Sequence, residues 1–409
     1  MELSHKIHRK PLWKRILISF LLASVLSVFC TGCLPGVELS DRAIVQAIGV
    51  DALPDGGVKV TMQIFSPGGT GGATGIDASK SNAKIIESTG RTLSDAISAA
   101  SLKQGKQIFY GHNRVVIFGE SAAKSGLYEY LSFFNNDHES RANLSLMISR
   151  STAADIVKAE INQGILPAEV LEKMADNAQQ NGKAAMVTFF DVQRALENPT
   201  DDVVIPAIEL SKSEGEAQEG KEGEGKPEDV QAISMDGSAL FADGKLAGYM
   251  DDGATRGLLW LRGEVCNTLL TASDPALGEF SVDIYDSSTK LIPQLQDGHP
   301  VFQVKIRGKA TLNELVMKQR ESLSMKDLDR LGEIAASAIQ RECGEAFAQT
   351  AEQRAIDVCA FGNLLWQQET DYWRQVHDDW KTVLPTVRLQ YDIRIEIDRV
   401  GMGDRLKSS

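Results

Sequence analysis

The sequence predicts an α+β protein: antiparallel or mixed sheets with helices packed on one side, in two or three domains behind a cleaved signal peptide. Three observations carry this. Val387, Leu389, Tyr391, Ile393, Ile395 and Ile397 alternate without a break with Arg388, Gln390, Asp392, Arg394, Glu396 and Asp398. That is the period of a strand with one covered face and one wet face, as antiparallel sheets show. Upstream, Phe302, Val304 and Ile306 alternate in the same way with Gln303, Lys305 and Arg307. Between the two runs, Ser324-Met325-Lys326-Asp327 resembles a capping box and opens a long helix with Leu328, Leu331, Ile334, Ala335, Ala338 and Ile339 at helical spacing. Third, residues 211–229 are Glu, Gly, Lys and Ser with almost nothing apolar. Such a run cannot bury enough surface to offset its ordering entropy, so it predicts a flexible acidic linker.

The elements before that run alternate in type. Val58, Val60, Met62 and Ile64 mark a half-buried strand, and Leu53-Pro54-Asp55-Gly56-Gly57 is a turn joining it to the apolar segment 43–50, hence a hairpin. Leu93, Ala96, Ile97 and Ala100 share one face of a helix over 92–103. A strand over 113–118, a helix near 127–134, a strand over 141–149 and a helix over 152–160 follow, then helices near 167–177 and 188–197. At the far end Trp366, Trp373 and Trp380 recur every seven residues, which predicts one helix with the three rings on one face, packed against a sheet. The expected boundaries are a signal peptide at 1–32, an N-terminal domain of one or two subdomains at 33–210, the linker at 211–230, a C-terminal domain at 231–403 and a tail at 404–409.

The start of the chain assigns the compartment. Lys6, Arg9, Lys10, Lys14 and Arg15 precede an uncharged apolar stretch over 16–29. The stretch is shorter than the ~20 residues a spanning helix needs, and its basic flank reads as a secretory signal. Cys30-Thr31-Gly32-Cys33 follows and resembles a bacterial lipobox. Thr31 and Gly32 are small, so Cys33 is the expected lipidation site, although Cys30 stands where Leu is usual. Two buried acyl chains hold a protein stably where one does not. Removing residues 1–32 leaves 38 basic and 55 acidic residues, a net charge of −17. A body of that charge is repelled by anionic lipid and by nucleic acid, so its attachment calls for a covalent tether.

Chemistry has little footing in the remaining motifs. Cys266, Cys343 and Cys359 are odd in number and widely spaced, which is neither a disulfide framework nor a zinc pattern; buried free thiols are the commoner case, and one bridge among them stays open. Gly68-Gly69-Thr70-Gly71-Gly72-Ala73-Thr74-Gly75 lacks the Lys of a phosphate loop and reads as a surface loop. His138-Glu139 has Ala142 where a zincin needs its second His. His377-Asp378-Asp379 reads as a solvated helix edge. No catalytic residue, cofactor site or metal site is expected.

Several blocks together resemble the Ger(x)C family, the C-subunit lipoproteins of bacterial spore germinant receptors. They are 39–51 (LSDRAIVQAIGVD), 111–116 (GHNRVV) with 126–141 (GLYEYLSFFNNDHESR), 237–262 (GSALFADGKLAGYMDDGATRGLLWLR), and 355–362 (AIDVCAFG) with 373–385 (WRQVHDDWKTVLP). The resemblance runs from the signal to about Gly401. Leu34-Pro35-Gly36 replaces the usual Trp-Asp after the cysteine, and Cys359-Ala360 stands where Phe-Gly is usual. The resemblance implies a non-catalytic accessory subunit at the outer face of the inner spore membrane. Its implied partners are a transporter-like integral-membrane subunit and a second membrane subunit, with no nucleic acid. The alternative is a substrate-binding lipoprotein that captures a small nutrient directly, which needs a cleft with convergent polar groups.

Overall fold

Leu53 and Gly57 close the predicted hairpin: the Leu53 N–H donates to the Gly57 carbonyl at 2.8 Å, joining β1 (Arg42–Ala52) to β2 (Val58–Phe65). The computed structural model describes residues 13, 16–21, 41–65, 83–136, 140, 143–159, 167–185, 187–198, 201–212, 231–317 and 323–401. The chain divides into two units, Met1–Arg42 and Ala43–Ser409. In the first, residues 16–21 are helical and exposed. Among the described residues no helix is long and apolar enough to cross a membrane.

The first sheet has nine strands. β3 (Ala83–Gly90), β2, β1, β5 (Val115–Gly119), β6 (Ser145–Ser149), β7 (Val203–Lys212), β8 (Gln231–Ala242) and β9 (Lys245–Met250) lie in that order, with β4 (Gln107–Phe109) paired to β1. The outer pairs are antiparallel, and the central run β1, β5, β6, β7 is parallel. Parallel strands are joined by crossovers that cover both faces, so both faces must be apolar. β5 accordingly reads Val-Val-Ile-Phe-Gly with every residue buried. Val116 and Phe118 face α1 (Leu93–Gln104), α3 (Tyr128–Asn136) and α6 (Phe189–Glu197), after the short α2 (Glu120–Ser125). Val115 and Ile117 face α4 (Ala153–Lys158) and α5 (Pro167–Gln180). One-sided cover is thus the arrangement of the second sheet only.

Local caps agree with the sequence. Thr92, Thr152 and Thr188 accept the N–H of Asp95, Asp155 and Asp191 at the starts of α1, α4 and α6. Asp51 adds a long-range cap: its carboxylate at the end of β1 accepts Ala153 N at 2.8 Å and Ala154 N at 3.0 Å. That bond fixes α4 on the sheet.

β8 and β9 complete the first sheet although they follow the acidic run. Lys212 and Gln231 are register partners, so residues 213–230 join two adjacent antiparallel strands. The expected linker at 211–230 is corrected at its start, since Ser211 and Lys212 are the last residues of β7; its expected flexibility otherwise concerns residues outside the described ones. α7 (Asp252–Arg262) then leads into the second sheet, β10 (Thr268–Asp274), β11 (Gly278–Gln296), β12 (His299–Met317) and β13 (Arg388–Val400). The alternating runs at 302–306 and 387–397 are both strands, and they pair in parallel. Of the two expected arrangements, antiparallel or mixed, this sheet is therefore the mixed one. The stretch between them holds the long α8 (Met325–Phe347), and a helical crossover delivers the next strand in the same direction. Ser324 and Asp327 form the predicted capping box of α8.

The expected single tryptophan helix is broken. α9 (Phe361–Gln368) and α10 (Thr370–Val376) are separated at Glu369, which has φ −128° and ψ 51°, and a 3₁₀ turn precedes α11 (Trp380–Val383). Trp373 and Trp380 are buried edge to face with centroids 5.3 Å apart, whereas Trp366 is 56% exposed. The break lets Trp380 fold back over the start of α9, where its indole meets Asp357.

Candidate functional site

Where the two sheets meet, a single carboxylate organises the closing segment. Asp357 is 2% exposed. Its Oδ1 accepts the N–H of Phe361 at 2.9 Å; its Oδ2 accepts the N–H of Gly362 at 2.8 Å and the Trp380 indole N–H at 3.0 Å. It therefore caps α9 and holds Trp380 at once. Gly362 is required by proximity: a Cβ there would lie 3.0 Å from both Trp373 and Trp380 ring atoms. Asp357 also reaches the first sheet, since its N–H donates to Asp202 Oδ2 at 2.8 Å and its carbonyl accepts Asp202 N at 3.3 Å. Asp202 immediately precedes β7.

Both aspartates line a cleft of 770 Å³ together with Arg194, Arg262, Glu264 and Cys359. Burial raises the Asp202 carboxyl and pushes that of Asp357 up to about 7, against the pull of its three N–H donors. Burial also pushes the Cys359 thiol up, with the Asp357 charge adding to it. A nucleophilic cysteine needs the opposite environment, a cationic one that favours thiolate. Among the described residues no histidine lines the cleft. The described geometry thus builds a structural joint.

The hub costs backbone strain. Ala355 and Ala360, on either side of Asp357, have φ of 53° and 55°, left-handed values that favour glycine. Ala360→Gly is expected to stabilise the protein by about 1 kcal/mol, read as a higher thermal midpoint. A lower midpoint would contradict the strain.

The other sequence candidates fall as follows. Cys33, with its lipobox, and Gly68 to Gly75 lie outside the described residues, as do His138 and Glu139. His377 sits in the exposed turn, its Nε2 3.4 Å from Asp378. Among the described residues no group of His, Cys, Asp and Glu is arranged to hold a metal ion. Cys266, Cys343 and Cys359 are all free thiols; the first is exposed and the other two are buried. A thiol reagent is therefore expected to label Cys266 in the native protein, and Cys343 and Cys359 only after unfolding. Labelling of all three at one rate would show that the core is not packed as described. Sequence reasoning missed Asp357 and Asp51, whose partners lie in space and not in a local motif. The trace of Asp357 is its place four and five residues before the first N–H groups of α9.

This fold is similar to that of a solved protein, described as the crystal structure of the GerBC protein. The match has a TM-score of 0.55 at 20% identity, covering 86% of this chain and 97% of that one. Residues 36–210 match the spore germination protein N-terminal domain, and residues 236–401 match the spore germination B3/GerAC-like C-terminal domain. The chain belongs to this spore germination family, the one it resembles by sequence. Curated relatives include spore germination protein KC of Bacillus subtilis (strain 168), 25% identical across 95% of this chain and 96% of the relative. Spore germination protein B3 of the same organism is 23% identical across 90% and 94%.

Proposed function

We propose that this chain is a lipid-anchored, non-catalytic subunit of a spore germinant receptor, required for nutrient-triggered germination. The observation that carries the reading is the match of both germination domains, in order and nearly end to end, behind a lipobox-like cysteine. Diacylation at Cys33 tethers the body to the outer face of the inner spore membrane. The net charge of −17 on the mature chain makes adsorption to anionic lipid unfavourable and gives the covalent anchor its purpose. The folded body then docks on a transporter-like integral-membrane subunit and a second membrane subunit. Support for a docking role over a chemical one comes from the cleft, where Asp202 and Asp357 are committed to holding the two sheets together. The experiment is purification of the tagged protein from spore membranes in mild detergent. Co-purification of the two membrane subunits is expected; recovery of the chain alone under conditions that preserve other membrane complexes would refute the assembly.

A further inference from the structure

Away from the joint, α8 packs on the inner side chains of the second sheet, among them Phe302, Val304 and Ile306. The outer face of β11, β12 and β13 meets water, and its charges are sorted along the strands. Towards the hairpin joining β11 to β12, register sets Lys290 beside Lys305, Lys305 beside Asp392 and Arg307 beside Arg394, with Arg388 opening β13. These rows hold five cations and one anion. From the row Asp286, Lys309 and Glu396 onward the sign reverses. Glu279, Asp283, Asp286, Glu314, Glu396 and Asp398 stand there against Lys309 and Arg399, and none of these side chains is buried. One half of the face is thus net positive by four charges and the other net negative by four.

Like charges directly opposite on neighbouring strands destabilise a sheet. Lys290 with Lys305, and Arg307 with Arg394, are such pairs. Asp392 is the one carboxylate in their rows: Arg307 donates to its Oδ2 at 2.5 Å, and Arg394 Nε lies 3.5 Å from its Oδ1. Asp329 and Glu333 line a recess at the β13 edge with Arg307 and Arg394, but they belong to α8, on the covered side. An anionic membrane or an acidic peptide fits the basic half of this face and is repelled by the other half. A full match needs both signs in reverse order along the strands. A second copy of the chain, turned end for end, supplies them.

We propose that the outer face of the second sheet is the interface of a homodimer, with a twofold axis running across the strands between Arg307 and Lys309. The contact is isologous, so each pairing occurs twice. The register sets Arg394 over Glu396, Lys290 over Asp283 and Asp392 over Arg399 of the second copy. Arg307 then lies over Lys309, and Asp392 and Asp286 beside them supply the counter-charges. Leu269 and Val316, 51% and 59% exposed on the acidic half, gain cover. The face is about 50 Å long and about 15 Å wide, roughly 750 Å², near the ~800 Å² that each partner gives to a standard interface. Sheets stack about 10 Å apart, a gap that Lys, Arg and Glu side chains bridge. The contact uses neither Cys33 nor the cleft at Asp357, so it and the anchor can fail separately.

The test is sedimentation velocity of the purified protein in detergent, at about 0.1 mM chain and about 20 mM salt, where screening of exposed charges is weak. A dimer is expected, at least tenfold weaker in about 0.5 M salt. Two charge-reversed variants follow. Lys290→Glu with Arg394→Glu makes the basic half acidic, and Asp283→Lys with Glu396→Lys makes the acidic half basic. None of the four positions is buried, so the fold is kept. Each variant alone is expected to associate at least tenfold more weakly than the wild type. Their equimolar mixture should recover the dimer, because every reversed residue then meets its opposite. A wild type that stays monomeric in low salt overturns the proposal, as do variants that dimerise like the wild type or a mixture that stays monomeric. Binding to phosphatidylglycerol vesicles in place of self-association assigns the basic rows to lipid and overturns it too.

Discussion

Gly257→Ala is expected to destabilise the protein by about 3 kcal/mol or more, although alanine is the better helix former. Gly257 lies on α7 where that helix crosses α8 with no side chain between them. A Cβ there would overlap the backbone carbonyl of Glu342 and come within 2.9 Å of Cys343 N. The obstruction is backbone, so no rotamer change relieves it and the helices must separate. Separation would also open the Arg256–Glu342 pair beside it, in which Arg256 Nε donates to Glu342 Oε2 at 2.9 Å and a second bond runs from its terminal nitrogen. The side chains of that pair are 20% and 14% exposed, so parting them leaves two half-buried charges. Against this stands a gain of only ~1 kcal/mol from helix propensity. Urea unfolding of the wild type and variant measures the difference; equal midpoints would show that α7 and α8 are not in backbone contact.

Asp357→Asn should cost a similar amount, about 3 kcal/mol, by a different route. The amide keeps the volume of the carboxylate but has one acceptor oxygen where the wild type offers two. Turned to satisfy Phe361, it points an NH₂ at the Gly362 and Trp380 N–H groups, donor against donor. The loss should be accompanied by a change in tryptophan fluorescence, because Trp380 loses its only described hydrogen-bond acceptor. The pH dependence is specific as well. Burial holds the folded-state carboxyl at about 7, above its ordinary value of 3.8. The folded state therefore binds this proton more tightly than the unfolded state does. The stability it contributes is full below the unfolded value and is lost as pH rises through the folded one. The variant has no such proton. The stability gap between wild type and variant should widen on acidification across that window, with a slope approaching ~1.4 kcal/mol per pH unit. A gap that narrows on acidification would mean that Asp357 is ionised throughout and that its three donors outweigh burial.

What the sequence made legible follows from how local each determinant is. The β1–β2 hairpin, the caps at Thr92 and Thr188, the capping box of α8 and the alternation of β12 and β13 are written within a few residues of where they act. The direction of β13 relative to β12 is not, because alternation reports one covered face and is blind to strand polarity. The tryptophan spacing misled for a related reason: seven residues is helical only if the helix continues, and Asp357 draws Trp380 back across a break at Glu369. The membership of β8 and β9 in the first sheet was hidden by an acidic run whose composition resembles a domain boundary. Of the proposed functional positions, Cys33 is visible in sequence because a lipobox is a local motif.

Spores whose only copy of this protein carries Cys33→Ala provide the most direct measurement. Nutrient-triggered germination, followed as loss of optical density, is compared with that of wild-type spores after the abundance of the protein in each is matched. A subunit that works through its lipid anchor predicts an unacylated variant, absent from the membrane fraction, and germination slowed at least tenfold. Germination at the wild-type rate, with the variant free of lipid, would contradict it.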